Sequence, residues 1–185
     1  MVTSISGARR TGLRRLLLVA ALVAGWPGSG WSQGSDAVAK ARFVVTFARF
    51  VQWPASPVGA DTTDLRLCVL QDSPALASAF AAHDGANVGG RRLSVSLKPA
   101  PRLPGCDLLF VDESAARATA PLLTESAGLP MLTLGAVDGF LAQGGMIELV
   151  NVDDALRFDV DLRALRATGL GLSSQVLKLA RRVRE

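Results

Sequence analysis

Residues 144–180, GGMIELVNVDDALRFDVDLRALRATGLGLSSQVLKLA, carry the reading that decides the fold. Met146 to Asn151 and Leu156 to Val160 are short apolar runs separated by Val152-Asp153-Asp154, the pattern of an antiparallel hairpin. After Gly169-Leu170-Gly171, a helix is expected from about Ser173 to Val183. Leu172, Val176, Leu179 and Val183 mark its apolar stripe, while Lys178, Arg181, Arg182 and Arg184 face away. Those basic residues would also complement the negative end of the helix dipole. The stretch holds no nucleophile, metal cluster or phosphate loop, so it describes a surface for binding.

Upstream, strands and helices alternate. Residues 36–52 predict a helix with Phe43, Phe47 and Phe50, together with Val44 and Val51, on one face. Lys40, Arg42, Arg49 and Gln52 fall mainly elsewhere, Ser35 or Asp36 can cap the start, and Pro54 ends it near Trp53. A polar loop fills 55–64. Leu65 to Leu70 (LRLCVL) reads as a strand, and Pro74 suits the first turn of a helix to about Ala82. Gly85 to Gly90 is a turn, Arg91 to Leu97 an alternating strand, and Cys106 to Val111 a buried one. A helix at 114–127, a strand at Pro130 to Leu134 and a helical turn at Asp138 to Ala142 lead into the hairpin. This order implies an α/β layered domain with a mixed, mostly parallel sheet flanked by helices, a late antiparallel hairpin and a C-terminal amphipathic helix.

The N-terminus is of a different kind. Arg9, Arg10, Arg14 and Arg15 precede the short apolar run Leu16 to Ala24, then small residues, which reads as a secretory signal peptide over residues 1–32 cleaved near Ser32. The general secretion route fits better than twin-arginine export, because Thr11-Gly12 matches the latter poorly; an uncleaved anchor helix is the alternative. The full chain has 20 Lys+Arg against 16 Asp+Glu, and the export segment takes four arginines and no acid with it. The expected mature protein is therefore neutral, which removes the basic face that nucleic-acid binding needs. Its two cysteines, Cys68 and Cys106, default to a disulfide in an exported chain, with a free-thiol pair as the alternative.

Chemistry is hard to find. His83 lies in Ala-His-Asp-Gly at a helix end with no nucleophile beside it in sequence, and no serine sits in a nucleophile elbow. Asp153-Asp154 and Asp159…Asp161 read as a turn and a polar strand face rather than a glycosidase pair. Gly89-Gly90, Gly144-Gly145 and Gly169…Gly171 lack phosphate-loop spacing, and one histidine with two cysteines makes the usual zinc set unworkable. The sequence therefore predicts no enzyme, cofactor or metal. The aromatic stripe Phe43, Phe47, Phe50 and Trp53 reads first as core; the second reading is a partner or ligand surface, with Arg49, Lys178 and Arg181 beside it.

Two segments go beyond generic pattern. Residues 41–54, ARFVVTFARFVQWP, form an aromatic helix ending in Trp-Pro. Gly144-Gly145-Met146-Ile147, Arg157-Phe158 and residues 169–180, GLGLSSQVLKLA, close the chain. With the cysteine-bearing strands at 65–70 and 105–111, they resemble the YfiR/HmsC-like family over 37–183. The resemblance implies a periplasmic, non-enzymatic regulator that represses an inner-membrane diguanylate cyclase by binding its periplasmic sensor region, lowering cyclic-di-GMP and restraining biofilm formation. It implies a structural disulfide between Cys68 and Cys106. The second cysteine pair that some relatives use for redox response is absent. Expected partners are the cyclase's periplasmic domain, with an outer-membrane lipoprotein and a homodimer kept open. The alternative is a periplasmic small-molecule binding or sensor domain with its ligand near Trp53, and a third reading is an envelope scaffold without signalling.

Overall fold

The cysteine-bearing strand sets the architecture. In a computed structural model, which describes residues 30–54, 63–97, 103 and 105–185, Asp64–Leu70 is an interior strand of an eight-stranded sheet. Most of the expected export segment, residues 1–29, and most of the expected 55–64 loop fall outside the described residues; the segment's last three residues belong to α1. The elements in order are α1 (Gly30–Phe50), β1 (Val51–Gln52), β2 (Asp64–Leu70), α2 (Pro74–Ala81), β3 (Asn87–Val88), β4 (Arg91–Leu97) and β5 (Leu108–Val111). A 3-10 turn (Glu113–Ala118) leads to α3 (Thr119–Ser126) and β6 (Leu132–Gly135). A second such turn (Leu141–Gln143) precedes β7 (Ile147–Val152), β8 (Ala155–Asp161), α4 (Leu162–Ala167), β9 (Gly171–Leu172), α5 (Ser174–Leu177) and β10 (Arg182–Arg184).

The sheet order is β10-β8-β7-β6-β5-β2-β4-β3, with β7/β8 and β3/β4 antiparallel and every other neighbour parallel. The mixed, mostly parallel sheet is thus the one the sequence implies, and the described residues form one domain. From β2 the chain passes through α2 to β4 on one side, then crosses to β5 on the other. That reversal opens a crevice at the carboxyl ends of β2 and β5, the usual recess of such sheets.

Alternation along the strands divides the core. Leu65, Leu67 and Val69 of β2 and Leu108 and Phe110 of β5 pack with α1 and α2 on one face. Cys68, Leu109 and Val111 pack with Leu122 and Leu123 of α3 and with Phe140 on the other. Period-two exposure of a strand buried on both sides requires this division. Cys68 and Cys106 are joined, Cα to Cα 5.8 Å, tying β2 to the entry of β5. The bridge closes a loop of 38 residues, worth about 3–4 kcal/mol in the chain-entropy view. Phe140 is fully buried because Gly135 and Gly145 leave room for it; a Cβ at either position would fall within its ring. Asp153 and Asp154 turn the β7/β8 hairpin with φ of 50° and 57°, the left-handed conformation a two-residue hairpin turn needs.

Three expectations need correction. The first helix stops at Phe50, because Val51 and Gln52 pair antiparallel with Leu172 and Gly171 of β9. Leu172 is accordingly a strand residue, not part of a helix stripe. The C-terminal helix to Val183 is one turn only: Ser173 caps α5, whose helix ends at Leu177, and the chain then straightens into β10, parallel to β8. The cause is Asp159, 2% exposed on β8. Its carboxylate accepts hydrogen bonds from Arg181 (2.9 and 2.5 Å) and from Arg182 (3.0 and 2.8 Å). Both neighbours can converge on one carboxylate because the chain leaves helical geometry at this point. Arg181 and Arg182 therefore turn toward the domain rather than facing away, and Arg184 follows with its Nε 3.8 Å from Asp161. Helix α4, between β8 and β9, was not anticipated; the Asp161 side chain caps it by accepting from the Ala164 amide at 2.9 Å.

Candidate binding groove

Helix α1 borders two recesses of different character. The i, i+4 spacing of Phe43 and Phe47 brings their rings to 6.2 Å, tilted 53° to each other. Phe158 of β8 meets Phe47 edge-on at 4.8 Å and 81°, and Phe43 at 6.3 Å. Such edge-to-face pairs add about 0.5–1.5 kcal/mol beyond area burial. Phe47 and Phe158 are buried, Phe43 is half-buried, and Phe50 emerges 38% exposed. Across from α1, β8 supplies Leu156 and Arg157, and the α5 region supplies Gln175, Val176 and Leu179. Together they line an open groove of about 620 Å³. Leu179, 73% exposed, stands at its mouth.

The groove walls are apolar apart from Thr46, Gln175 and two guanidinium groups, Arg42 from α1 and Arg157 from β8. No carboxylate lines it, and neither arginine has an ion-pair partner among the described residues. A groove of this size, mostly apolar with a few placed polar groups, has the general build of a ligand or partner site.

The second recess, about 410 Å³, lies at the carboxyl edge of the sheet between the β7/β8 hairpin and α1. Lys40 lines it and is buried, contrary to the expectation that it sits on the polar side of the helix. Its Nζ meets Asp36 at 3.0 Å and Asp112 and Glu113 at 3.3 Å each, the last two just past the end of β5. Burial works to lower the Lys40 pKa; the hydrogen bond to Asp36 and the charges of Asp112, Asp36 and Glu113 outweigh it and hold the ammonium above its ordinary value. Arg181 reaches the same recess already bound to Asp159. Burial likewise works to raise the Asp159 pKa, but the hydrogen bonds and charges of Arg181 and Arg182 keep it below the usual carboxylate range.

Of the residues singled out in the sequence, Phe43, Phe47 and Phe50 come together in the groove. Trp53 does not: half-buried beyond β1, it packs on the core with the Arg91 guanidinium 5.8 Å over its ring. Arg49 is exposed on α1 outside the lining, Lys178 is exposed after α5, and Arg181 belongs to the polar recess. The sequence reading set Arg42 away from the aromatic face, where the groove now places it, and gave Leu156 and Arg157 no part in a site. Arg42 was visible as a cation one place before Phe43, and Arg157 as the residue between two apolar strand positions; no local pattern brings them to one groove. His83 follows α2, its amide bonded to the Phe80 carbonyl at 2.9 Å. Among the described residues, no group of three or more His, Cys, Asp or Glu side chains is placed to hold a metal ion, and no helix is long and apolar enough to cross a membrane.

No curated protein matches this chain. Among solved structures, a conserved domain protein from Vibrio cholerae O1 biovar eltor str. N16961 is similar with a TM-score of 0.46 and 14% identity, over 64% of this chain and 54% of that one. The chain thus spans about half the length of that solved relative. The family model described as YfiR/HmsC-like matches residues 37–181, from the buried Ala37 of α1 to the arginine that anchors β10. By that match the chain belongs to the YfiR/HmsC-like family.

Proposed function

We propose that the protein is a periplasmic, non-enzymatic regulator that represses an inner-membrane diguanylate cyclase by binding its periplasmic sensor region. Repression lowers cyclic-di-GMP and restrains biofilm formation. The observation that carries this reading is the groove itself, in a chain of the YfiR/HmsC-like family: it joins α1 to the C-terminal segment, the two regions whose sequence carries the family resemblance. An exposed apolar recess rimmed by cations is a surface made to be covered. Control of the cyclase follows if the bound ectodomain is held in one of two conformations, which requires different affinity for each. An outer-membrane lipoprotein competing for the same surface would release the repression.

The test is intracellular cyclic-di-GMP in the source bacterium with the gene deleted and then restored, in backgrounds with and without the membrane cyclase. The expected outcome is a rise on deletion that requires the cyclase and reverts on restoration. An unchanged level under several growth conditions would remove the repressor reading.

A further inference from the structure

We propose that the groove between α1, β8 and α5 also binds a medium-chain fatty acid, with its alkyl chain on the aromatic wall and its carboxylate between Arg42 and Arg157. Three observations select this chemistry. First, the only charged groups of the lining are these two cations, one from each wall, and neither has a partner among the described residues. In the neighbouring recess Lys40 and Arg181 are held by protein carboxylates; in the groove no carboxylate of the described residues meets the two cations, which leaves both open to an anion from outside.

Second, no carboxylate lines the groove, so the ammonium of an amino acid or other zwitterion would be left without a counter-charge. A simple monoanion meets no such penalty. Third, apart from the two arginines the polar side chains of the lining are only the Thr46 hydroxyl and the Gln175 amide; the rest is apolar, Phe43, Phe47, Phe158 and Leu179 among it. An alkyl chain asks for no hydrogen bonds along such walls, whereas the polar groups of a more hydrophilic small ligand would be buried there without partners, which is costly. The volume, about 620 Å³, lies within the roughly 300–1,000 Å³ of small-ligand sites.

This goes beyond the regulator reading and is measured on the protein alone. A failure here leaves the cyclase result untouched, and the reverse holds as well. The experiment is isothermal titration calorimetry of the purified chain at pH 7.5 with octanoate, decanoate and dodecanoate, each below its micelle concentration. Affinity should rise about two- to fourfold per added methylene, the upper figure being that for full burial. Dodecanol should bind at least about fivefold more weakly than dodecanoate, and dodecyltrimethylammonium more weakly still, for want of a charge-assisted hydrogen bond. Arg42→Gln and Arg157→Gln should each weaken dodecanoate about five- to tenfold without altering the chain-length increment, while the exposed Arg163→Gln leaves binding unchanged. Affinity independent of chain length, equal binding of the three dodecyl compounds, or tighter binding of an aromatic amino acid than of dodecanoate would each overturn the proposal. The series on the unmodified protein decides the matter even if a variant misfolds.

Discussion

The groove and the polar recess are built on the same helix and treat charge in opposite ways. In the recess, Lys40 is only 5% exposed and shared among three carboxylates, and Arg181 is committed to Asp159. In the groove, Arg42 and Arg157 are exposed, and no carboxylate shares their lining. A charge can be taken from water only if it is paired, so the recess residues are tied up in holding α1 and β10 against the sheet. The groove arginines hold nothing and remain free to meet an incoming group. The difference separates residues that stabilise the domain from residues that recognise something, and mutations should divide the same way.

The largest effect belongs to Lys40. Lys40→Ala leaves the buried Asp112 carboxylate without its cation, although the Ser114 amide and hydroxyl still donate to it at 3.1 and 2.6 Å. Removing one partner of a buried pair costs about 3–5 kcal/mol, and the open recess puts this case near the lower figure. Urea unfolding should show the loss, and Lys40→Met combined with Asp112→Asn should recover much of it, because deleting both charges is far cheaper than deleting one. A loss below about 0.5 kcal/mol, the size of an ordinary surface change, would erase the distinction between the two recesses.

Asp159 comes next. Its folded pKa lies below the ordinary carboxylate value, so the ionised form stabilises the fold. That contribution is complete above the unfolded pKa, about 4, and is lost as pH falls through the lower folded value. Asp159→Asn, which weakens the bonds to Arg181 and Arg182, should cost about 1.5–3 kcal/mol at pH 7. The gap from the unmodified protein should then narrow as the pH is taken below 4. A gap that stays constant down to pH 2 would show that the carboxylate's charge is not what fastens β10.

The same two residues mark where the sequence was legible. Strands β2, β5 and β6 could be read because buried strands show as short apolar runs, and α2 because Ser73 and Pro74 punctuate its start. Phe43 and Phe47 could be placed on one face from helical spacing alone. The end of the chain could not. Arg181 and Arg182 in a basic run after Val176 and Leu179 have the composition of a helix C-terminus, and only Asp159, 22 and 23 positions away, draws them into a strand. Lys40 was misread for the same reason, since its acceptor Asp112 lies 72 residues on. Local pattern specifies elements; charge pairs that span the sequence are fixed only once the sheet order is known. The groove was half visible, its α1 wall in the aromatic spacing and its β8 wall only after the hairpin folds beside it.

The smallest expected effect on stability is in the groove, and there the smallness itself is informative. Arg42→Glu and Arg157→Glu replace exposed side chains that make no ion pair among the described residues, so each should alter unfolding free energy by no more than about 0.5 kcal/mol. If the groove receives an acidic or anionic surface of the cyclase's periplasmic region, the same two changes reverse the charge that meets it. The double variant, restored to the deletion strain, should then leave cyclic-di-GMP as high as the deletion does, with the protein present at normal abundance. Arg181→Glu is no substitute in this experiment: it sets a second carboxylate against Asp159, so any loss of repression would reflect a loosened β10 rather than a lost contact. Full repression by a folded Arg42→Glu/Arg157→Glu protein would take the cyclase contact away from the groove and leave its arginines to a small anion alone.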